Sequence, residues 1–239
     1  MIEKENDKFY RYEFKYRIPN CLKGIIEGEF IRMGFADDQH LSENNFYYVT
    51  SLYFDSFDYG DYFDKASGLN RRKKIRARVH ARSVGLENKP IWLEIKHKKD
   101  MRVFKERVAL SKDQWDNFSN LRNGDDPVLK KALYYILSEN RKPVALVRYK
   151  RRPYLFNMAG FDGRFTFDYD IETRASTDLD GNKPMLRVAP NFFVLEVKFD
   201  RFLPPWFDFI VKKYNLKRDT FSKYALAVDM IRKFNPMPK

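Results

Sequence analysis

The chain has 239 residues, 44% of them hydrophobic and 17% aromatic, including 22 Phe and 15 Tyr, which is enough for a core and too apolar for a disordered segment. Its 46 Lys and Arg exceed its 33 Asp and Glu by 13, and a pI near 9.6 favours an anionic partner such as nucleic acid, a phosphorylated small molecule, polyphosphate or a membrane surface. One cysteine, Cys21, excludes an intrachain disulfide and a cysteine-based zinc site, and His40, His80 and His97 are scattered rather than grouped.

The first eight residues hold no apolar run of the signal-peptide kind, and no stretch approaches the ~18 apolar residues of a membrane span. A single domain over residues 1–239, in the cytoplasm, is the simplest expectation. Phe9–Ile18 alternates Tyr10, Tyr12, Phe14, Tyr16 and Ile18 with Arg11, Glu13, Lys15 and Arg17, which predicts a strand. Pro19-Asn20 opens a helix over Cys21–Met33, stopped by Gly34, with Cys21 read as a small buried residue. Phe46–Asp55 is a strand and Phe57–Ala66 a short helix.

A stretch with a sharper signal follows. From Lys74 to Arg82, basic residues (Lys74, Arg76, Arg78, His80, Arg82) alternate with Ile75, Ala77, Val79 and Ala81. Period two predicts a strand with one basic and one apolar face. Taken singly, such a strand is more often a solvated edge protected against aggregation. The later strands repeat the pattern. Pro90–Lys99 and Met101–Leu110 form a predicted antiparallel hairpin turning near Asp100, with Trp92 read as a core or sheet-covering residue, like Trp115 and Trp206. Ser111 caps one helix and Pro127–Glu139 is another. Pro143–Asn157 and Gly163–Glu172 are strands about a Gly160–Gly163 turn, the second with Arg164, Thr166, Asp168 and Asp170 on one face against Phe165, Phe167, Tyr169 and Ile171. A polar loop at Ser176–Pro184, a strand at Asn191–Phe202 and helices at Pro204–Tyr214 and Phe221–Phe234 complete the chain.

Across the strands, Arg11, Lys15, Lys74, Arg76, Arg78, Lys96, Lys98, Lys105, Arg107, Arg164 and Lys198 outnumber Glu13, Glu94, Asp168 and Glu196 on the polar faces. A solubility face would mix signs and carry Ser, Thr, Asn and Gln. The arrangement consistent with all strands is an α+β fold with a closed antiparallel sheet, helices outside and charges inside. Buried unpaired cations are costly, so such a lumen expects a polyanion, and guanidinium groups suit phosphate. Carboxylates among them would either pair with basic neighbours or hold a divalent cation through oxygen.

Arg11-Tyr12-Glu13-Phe14-Lys15, Ser51-Leu52-Tyr53-Phe54-Asp55, Lys74-Ile75-Arg76-Ala77-Arg78, Leu93-Glu94-Ile95-Lys96, Leu195-Glu196-Val197-Lys198-Phe199 and Phe221-Ser222-Lys223-Tyr224 occur in this order. The set resembles the vacuolar transporter chaperone (VTC) catalytic domain of the triphosphate tunnel metalloenzyme (CYTH-like) superfamily, across essentially the whole chain. The resemblance implies an eight-stranded antiparallel tunnel barrel that makes polyphosphate from ATP. By position, Lys15, Arg76, Arg78, Lys96, Lys105, Arg164, Ser222 and Lys223 would contact phosphates, with Arg107 and Lys198 on the same basic faces. Arg76, Arg78, Lys96, Arg164 and Lys223 would carry catalysis by spreading charge. Glu196 would bind Mn2+ or Mg2+, with Glu13 and Glu94 as further ligands. A Tyr-x-Arg pattern falls on Tyr149-Lys150-Arg151, with Arg148 and Arg152 as alternatives to Arg151. The hydrolytic and adenylate-cyclase-like branch begins Glu-x-Glu-x-Lys; here Arg11 replaces the first glutamate, which favours the polymerase branch. A hydrolase of the same fold and a non-catalytic polyphosphate-binding module are the alternatives. Nucleic acid is disfavoured because the aromatics lie on the parity opposite the charges. The phosphoinositide-binding and membrane domains of the eukaryotic complex are not seen, and a membrane-protein partner stays open.

Overall fold

A computed structural model describes residues 11–33, 36–37, 45–85, 88–99, 102–118, 126–158, 161–199 and 201–234. Phe9, Tyr10, Gly34, His40, Asp100, Met101 and Gly160, named above, lie outside the described residues, as does the side chain of Arg11.

The chain runs β1 (Arg11–Pro19), a 3-10 turn (Asn20–Leu22), α1 (Lys23–Arg32), β2 (Ala36–Asp37), β3 (Tyr47–Asp55), α2 (Gly60–Ala66), β4 (Arg71–Val79), β5 (Ile91–Lys99), β6 (Arg102–Leu110), α3 (Lys112–Asp116), α4 (Pro127–Ser138), β7 (Lys142–Met158), β8 (Phe161–Ala175), β9 (Leu186–Arg187), β10 (Phe192–Phe199), α5 (Pro205–Lys213) and α6 (Lys223–Phe234). Eight strands pair in the antiparallel order β7-β3-β4-β5-β6-β1-β10-β8, and β8 returns to β7, so the sheet closes into a barrel. Two-residue β2 and β9 add to the rims of β7 and β8. Closure leaves few unpaired backbone groups among strands that carry so much charge. The β1–β6 junction is short, joined at Arg11↔Val103 and Tyr12↔Arg102, and beyond it the segment before α6 takes over, with the Asp219 amide donating to the Lys15 carbonyl.

Period two sends alternate side chains to opposite sides of the wall. Outside, Tyr16, Ile18, Phe165, Phe167, Phe193 and Leu195 form one core under α1 and α5. Phe30 of α1 is fully buried there, ringed by Tyr154, Phe165, Phe167 and Trp206. Leu52, Ile75, Ala77, Leu93 and Ile95 form a second core with Leu129 and Ala132 of α4. Ser111 caps α3 through a reciprocal capping box with Gln114, and Asp126 caps α4, which begins with proline.

Three expectations change. The inner wall is not uniformly charged: Val49, Tyr53, Ala145, Val147, Tyr149 and Val194 face inward and pack on Tyr224, Ala227, Val228 and Ile231 of α6. The last helix is therefore not an external cover but a plug against β3, β7 and β8. Second, β8 does not alternate to its end. Asp170 has φ +49°, and the β7 register shifts between Arg148 and Lys150, so parity inverts. Ile171 turns in toward α6, while Asp170 pairs outside with Lys150 at 2.9 Å. Third, Cys21 is exposed.

Candidate functional site

The basic faces converge inside the barrel. Register places Arg78, Arg76 and Lys74 of β4 beside Trp92, Glu94 and Lys96 of β5, and these beside Ala109, Arg107 and Lys105 of β6. On the opposite wall, Glu13 and Lys15 of β1 lie beside Lys198 and Glu196 of β10, which lie beside Arg164 and Thr166 of β8. Arg151 of β7 stands opposite Asp168. Apart from Arg148 and Arg152, the alternatives to Arg151, the candidate site residues on strands thus have inward parity.

Four carboxylates hold this wall together. Glu94 lies 2.6 Å from Arg76, 3.4 Å from Lys105 and 3.9 Å from Arg78. Glu13 lies 2.9 Å from Lys96 and 3.0 Å from Lys15. Glu196 lies 2.8 Å from Lys198 and 3.5 Å from Arg151. Asp168, with no exposed surface, accepts from Arg151 at 2.6 Å and from Lys223 Nζ at 2.5 Å. Burial pushes the Glu13 carboxyl up, and Glu196 adds to that, but Lys96 and Lys15 outweigh both and hold it far below the usual range. Burial likewise opposes ionisation of Glu94, where Arg76 and Arg78 win, and of Glu196, where Lys198 and Arg151 win. None of the four is therefore poised to take a proton near neutral pH.

The cations are less settled. Burial, reinforced by Lys15 and Lys96 against the pull of Asp61, lowers the Lys74 ammonium to about 7. Burial and Arg107, opposed by Glu94, lower Lys105 to about 8. Lys96 is lowered mainly by burial, although Glu13 pulls it back. These are the marks of a wall short of negative charge.

Ser222 precedes α6, and its Oγ accepts from the Ala225 amide at 3.3 Å and from Lys74 Nζ at 3.0 Å. The helix amino terminus and Lys223 thus point their positive ends at the charged half of the lumen. The Tyr-x-Arg alternatives separate: Arg148 reaches outward to Glu172 and the Gly181 carbonyl, and Arg152 lies 3.5 Å from Glu27 of α1, leaving Arg151 inside. Trp92 is not a core residue; it faces the lumen, half-buried, with the Arg107 guanidinium 4.3 Å from its ring centre.

Two contacts escape a reading by sequence. Tyr53 faces inward and its phenol oxygen accepts from Arg76 Nη1 at 3.2 Å, and Tyr47 accepts from Arg164 at 3.3 Å. Both tyrosines sit on a strand apolar on each face, so no alternation marks them. Asp168 and Lys74 did carry a signal: each shares parity with an arginine of its own strand, Arg164 and Arg76.

The donors present suit a hard divalent cation. Glu13 and Glu196 feel each other's charge across neighbouring strands, and among the described residues Thr166 Oγ1, opposite Glu196, has no hydrogen-bond partner. Among those residues no three acidic, histidine or cysteine side chains converge, so a cation here would finish its shell with phosphate oxygens and water. Glu94 stands apart, enclosed by Arg76, Arg78 and Lys105.

The sequence matches the VTC domain over residues 10–232. The chain belongs to the VTC domain family. No curated protein sequence matches it. Among solved structures, a candidate adenylate cyclase from Bacillus halodurans shares 12% identity with this VTC domain, covering 90% of this chain and 94% of its own, at a TM-score of 0.53. A candidate adenylyl cyclase from Hippeastrum, described as having a dominant triphosphatase activity, shares 12% identity, covering 93% and 97%, at 0.51. These likenesses establish the fold: a closed antiparallel eight-stranded barrel with helices, of the triphosphate tunnel kind. No helix among the described residues is long and apolar enough to cross a membrane.

Proposed function

We propose that this VTC domain transfers the terminal phosphoryl group of ATP, or another nucleoside triphosphate, to inorganic polyphosphate held in the barrel. The observation that carries the reading is the composition of the inner wall: eight cations, Lys15, Arg76, Arg78, Lys96, Lys105, Arg151, Lys198 and Lys223, meet only four carboxylates, each already ionised and occupied. Such a wall neutralises phosphates, and none of its carboxylates is free to act as a base.

Polymer growth needs none. The attacking oxygen of a terminal phosphate is already ionised near neutral pH. A bond forms from that oxygen to the γ-phosphorus as the bond to the β-bridging oxygen breaks, and the nucleoside diphosphate leaves with the electron pair. Arg76, Arg78 and Lys96 on one wall and Arg164, Arg151 and Lys198 on the other would hold the two phosphate groups in line and spread the charge of the transition state. Lys223 and Ser222, at the start of α6, would hold an inner phosphate. Glu196 and Glu13, with Thr166 nearby, would hold Mn2+ or Mg2+. Bound there, the cation would neutralise phosphate oxygens.

The Hippeastrum neighbour's described triphosphatase activity supports a second reading, hydrolysis in the same lumen. Against it stands His80, the one inward imidazole among the described residues: burial, with Arg78 and Arg151, holds it near 3, too weak a base to activate water. Incubation with ATP and Mn2+, followed by sizing of phosphate products on a gel, separates the readings. A ladder of polyphosphate is expected. Released phosphate without a ladder selects hydrolysis. Neither product, with intact triphosphate binding, makes the protein a binding module.

A further inference from the structure

Outside the barrel, where β4 begins and the β5–β6 hairpin turns, an open groove of about 600 Å³ lies between the wall and the helices α2 and α4. Asp64 is the one acid among its lining residues. Register makes its floor electrostatically unfavourable: Arg71 stands directly opposite Lys99, and Lys99 opposite Arg102, a row of three cations across three strands. Like charges placed directly across strands destabilise a sheet. Other cations of the groove are compensated, Lys73 by Glu139 and Lys131 by Glu106 at 2.6 Å. Arg71 and Lys99 are exposed and have no ion-pair partner among the described residues. This is not the mixed-sign surface of a solvated edge.

The row is continuous with the lumen. One step inward along the same strands, Arg72 faces Lys98 with inward parity, and two steps further Lys74, Lys96 and Lys105 form a second row across the same three strands. The Lys98 ammonium is destabilised first by burial and then by Arg72 and Lys15. Rows of cations therefore run from the interior to the outer rim without an intervening acid on β4 or β5.

We propose that this groove is a second phosphate-binding site, which holds the part of an inorganic phosphate chain that projects beyond the lumen. The proposal rests on the lumen reading above for its ligand and extends it to chain length: the protein binds long chains through a surface that short ones never reach. Phe104 is the one phenyl ring among the lining residues and one of its faces already stacks on His97, which favours a phosphate chain over nucleic acid as the occupant.

The test compares inorganic tripolyphosphate with polyphosphate of several tens of units, using the full chain and its Arg71→Ala/Lys99→Ala/Arg102→Ala variant, whose exposed positions leave the fold intact by thermal melting. The variant is expected to bind tripolyphosphate as the wild type does and long chains roughly tenfold more weakly, with a shallower dependence on salt. Equal affinity for long chains in both proteins overturns the groove and leaves the lumen reading standing. Wild-type protein that ignores tripolyphosphate, yet loses long chains in the variant, overturns the lumen reading and supports the groove. Loss of binding to phosphatidylserine vesicles, with long-chain affinity unchanged, overturns the proposal in favour of a membrane surface.

Discussion

Arg76 and Arg78 are two residues apart on β4 and share Glu94, yet they differ in how tightly it holds them, at 2.6 and 3.9 Å. On the proposed lumen reading, replacing either by Ala removes a charge-assisted phosphate contact of about 1.5–3 kcal/mol. Tripolyphosphate should then bind roughly 10–100-fold more weakly by calorimetry, while Lys105 and the remaining arginine keep Glu94 paired. Wild-type affinity in both variants overturns the lumen assignment. Asp168 tests the wall itself. Asp168→Asn leaves Arg151 with Glu196 at 3.5 Å and takes from Lys223 the carboxylate it donates to, so stability should fall by about 3–5 kcal/mol in urea. Tripolyphosphate at 100 times its Kd for the variant should add back about 2.7 kcal/mol by mass action. Lys74 and Lys105 set a pH dependence. Their ammonium groups are lowered in the fold to about 7 and about 8, from an unfolded value of 10.5. Between those values the unfolded chain binds more protons, so the ligand-free protein should become more stable as pH rises from about 7 towards 10. Bound phosphate favours the charged lysines, so binding above pH 7 should take up protons and weaken as pH rises. Calorimetry in buffers of different ionisation enthalpy reads that uptake directly.

At the level of elements, β4 was legible because its two faces differ in kind, and β5, β6, β1 and β10 repeat the contrast; the closed sheet follows from that repetition. β3 and β7 were legible as strands, but the face that meets α6 was not. Both faces of β3 are largely apolar, and on β7 the apolar Ala145, Val147 and Tyr149 that meet α6 share a strand with outward Arg148, Lys150 and Arg152, so periodicity cannot tell a face buried by covering helices from one buried by a plug. The inversion on β8 was hidden for another reason: an αL aspartate leaves no mark in a polar-apolar pattern until the backbone is seen. The Ser176–Pro184 loop also reads as mere polarity, yet it is anchored. Arg148 donates to the Gly181 carbonyl, and Ser83 Oγ lies 3.1 Å from both Asp180 and the Gly181 amide. A Cβ on Gly181 would lie 1.9 Å from the Arg82 carbonyl oxygen, with backbone on both sides of the contact. Gly181→Ala should therefore destabilise by about 1–3 kcal/mol in thermal or urea unfolding. A change within error would mean that the loop moves away freely and does not brace β4.

For the whole molecule, the decisive feature is which strands close the ring. Tyr16 of the first strand pairs with Leu195 of the last, Lys15 with Glu196, and the Lys15 ammonium reaches the Phe221 carbonyl just before α6. A growing polypeptide thus exposes the Tyr12, Phe14 and Tyr16 row long before its partner has left the ribosome. The barrel cannot be finished in instalments, because its first staves wait for its last. Contacts so distant along the chain place refolding in the slow, millisecond-to-second regime of β-rich domains. Chains cut off before Phe192 keep a bare aromatic edge and should be recovered as aggregates rather than as partial barrels. Synthesis of this protein is accordingly an all-at-once event, and any pause by the ribosome after β8 lengthens the interval in which the unfinished product is vulnerable.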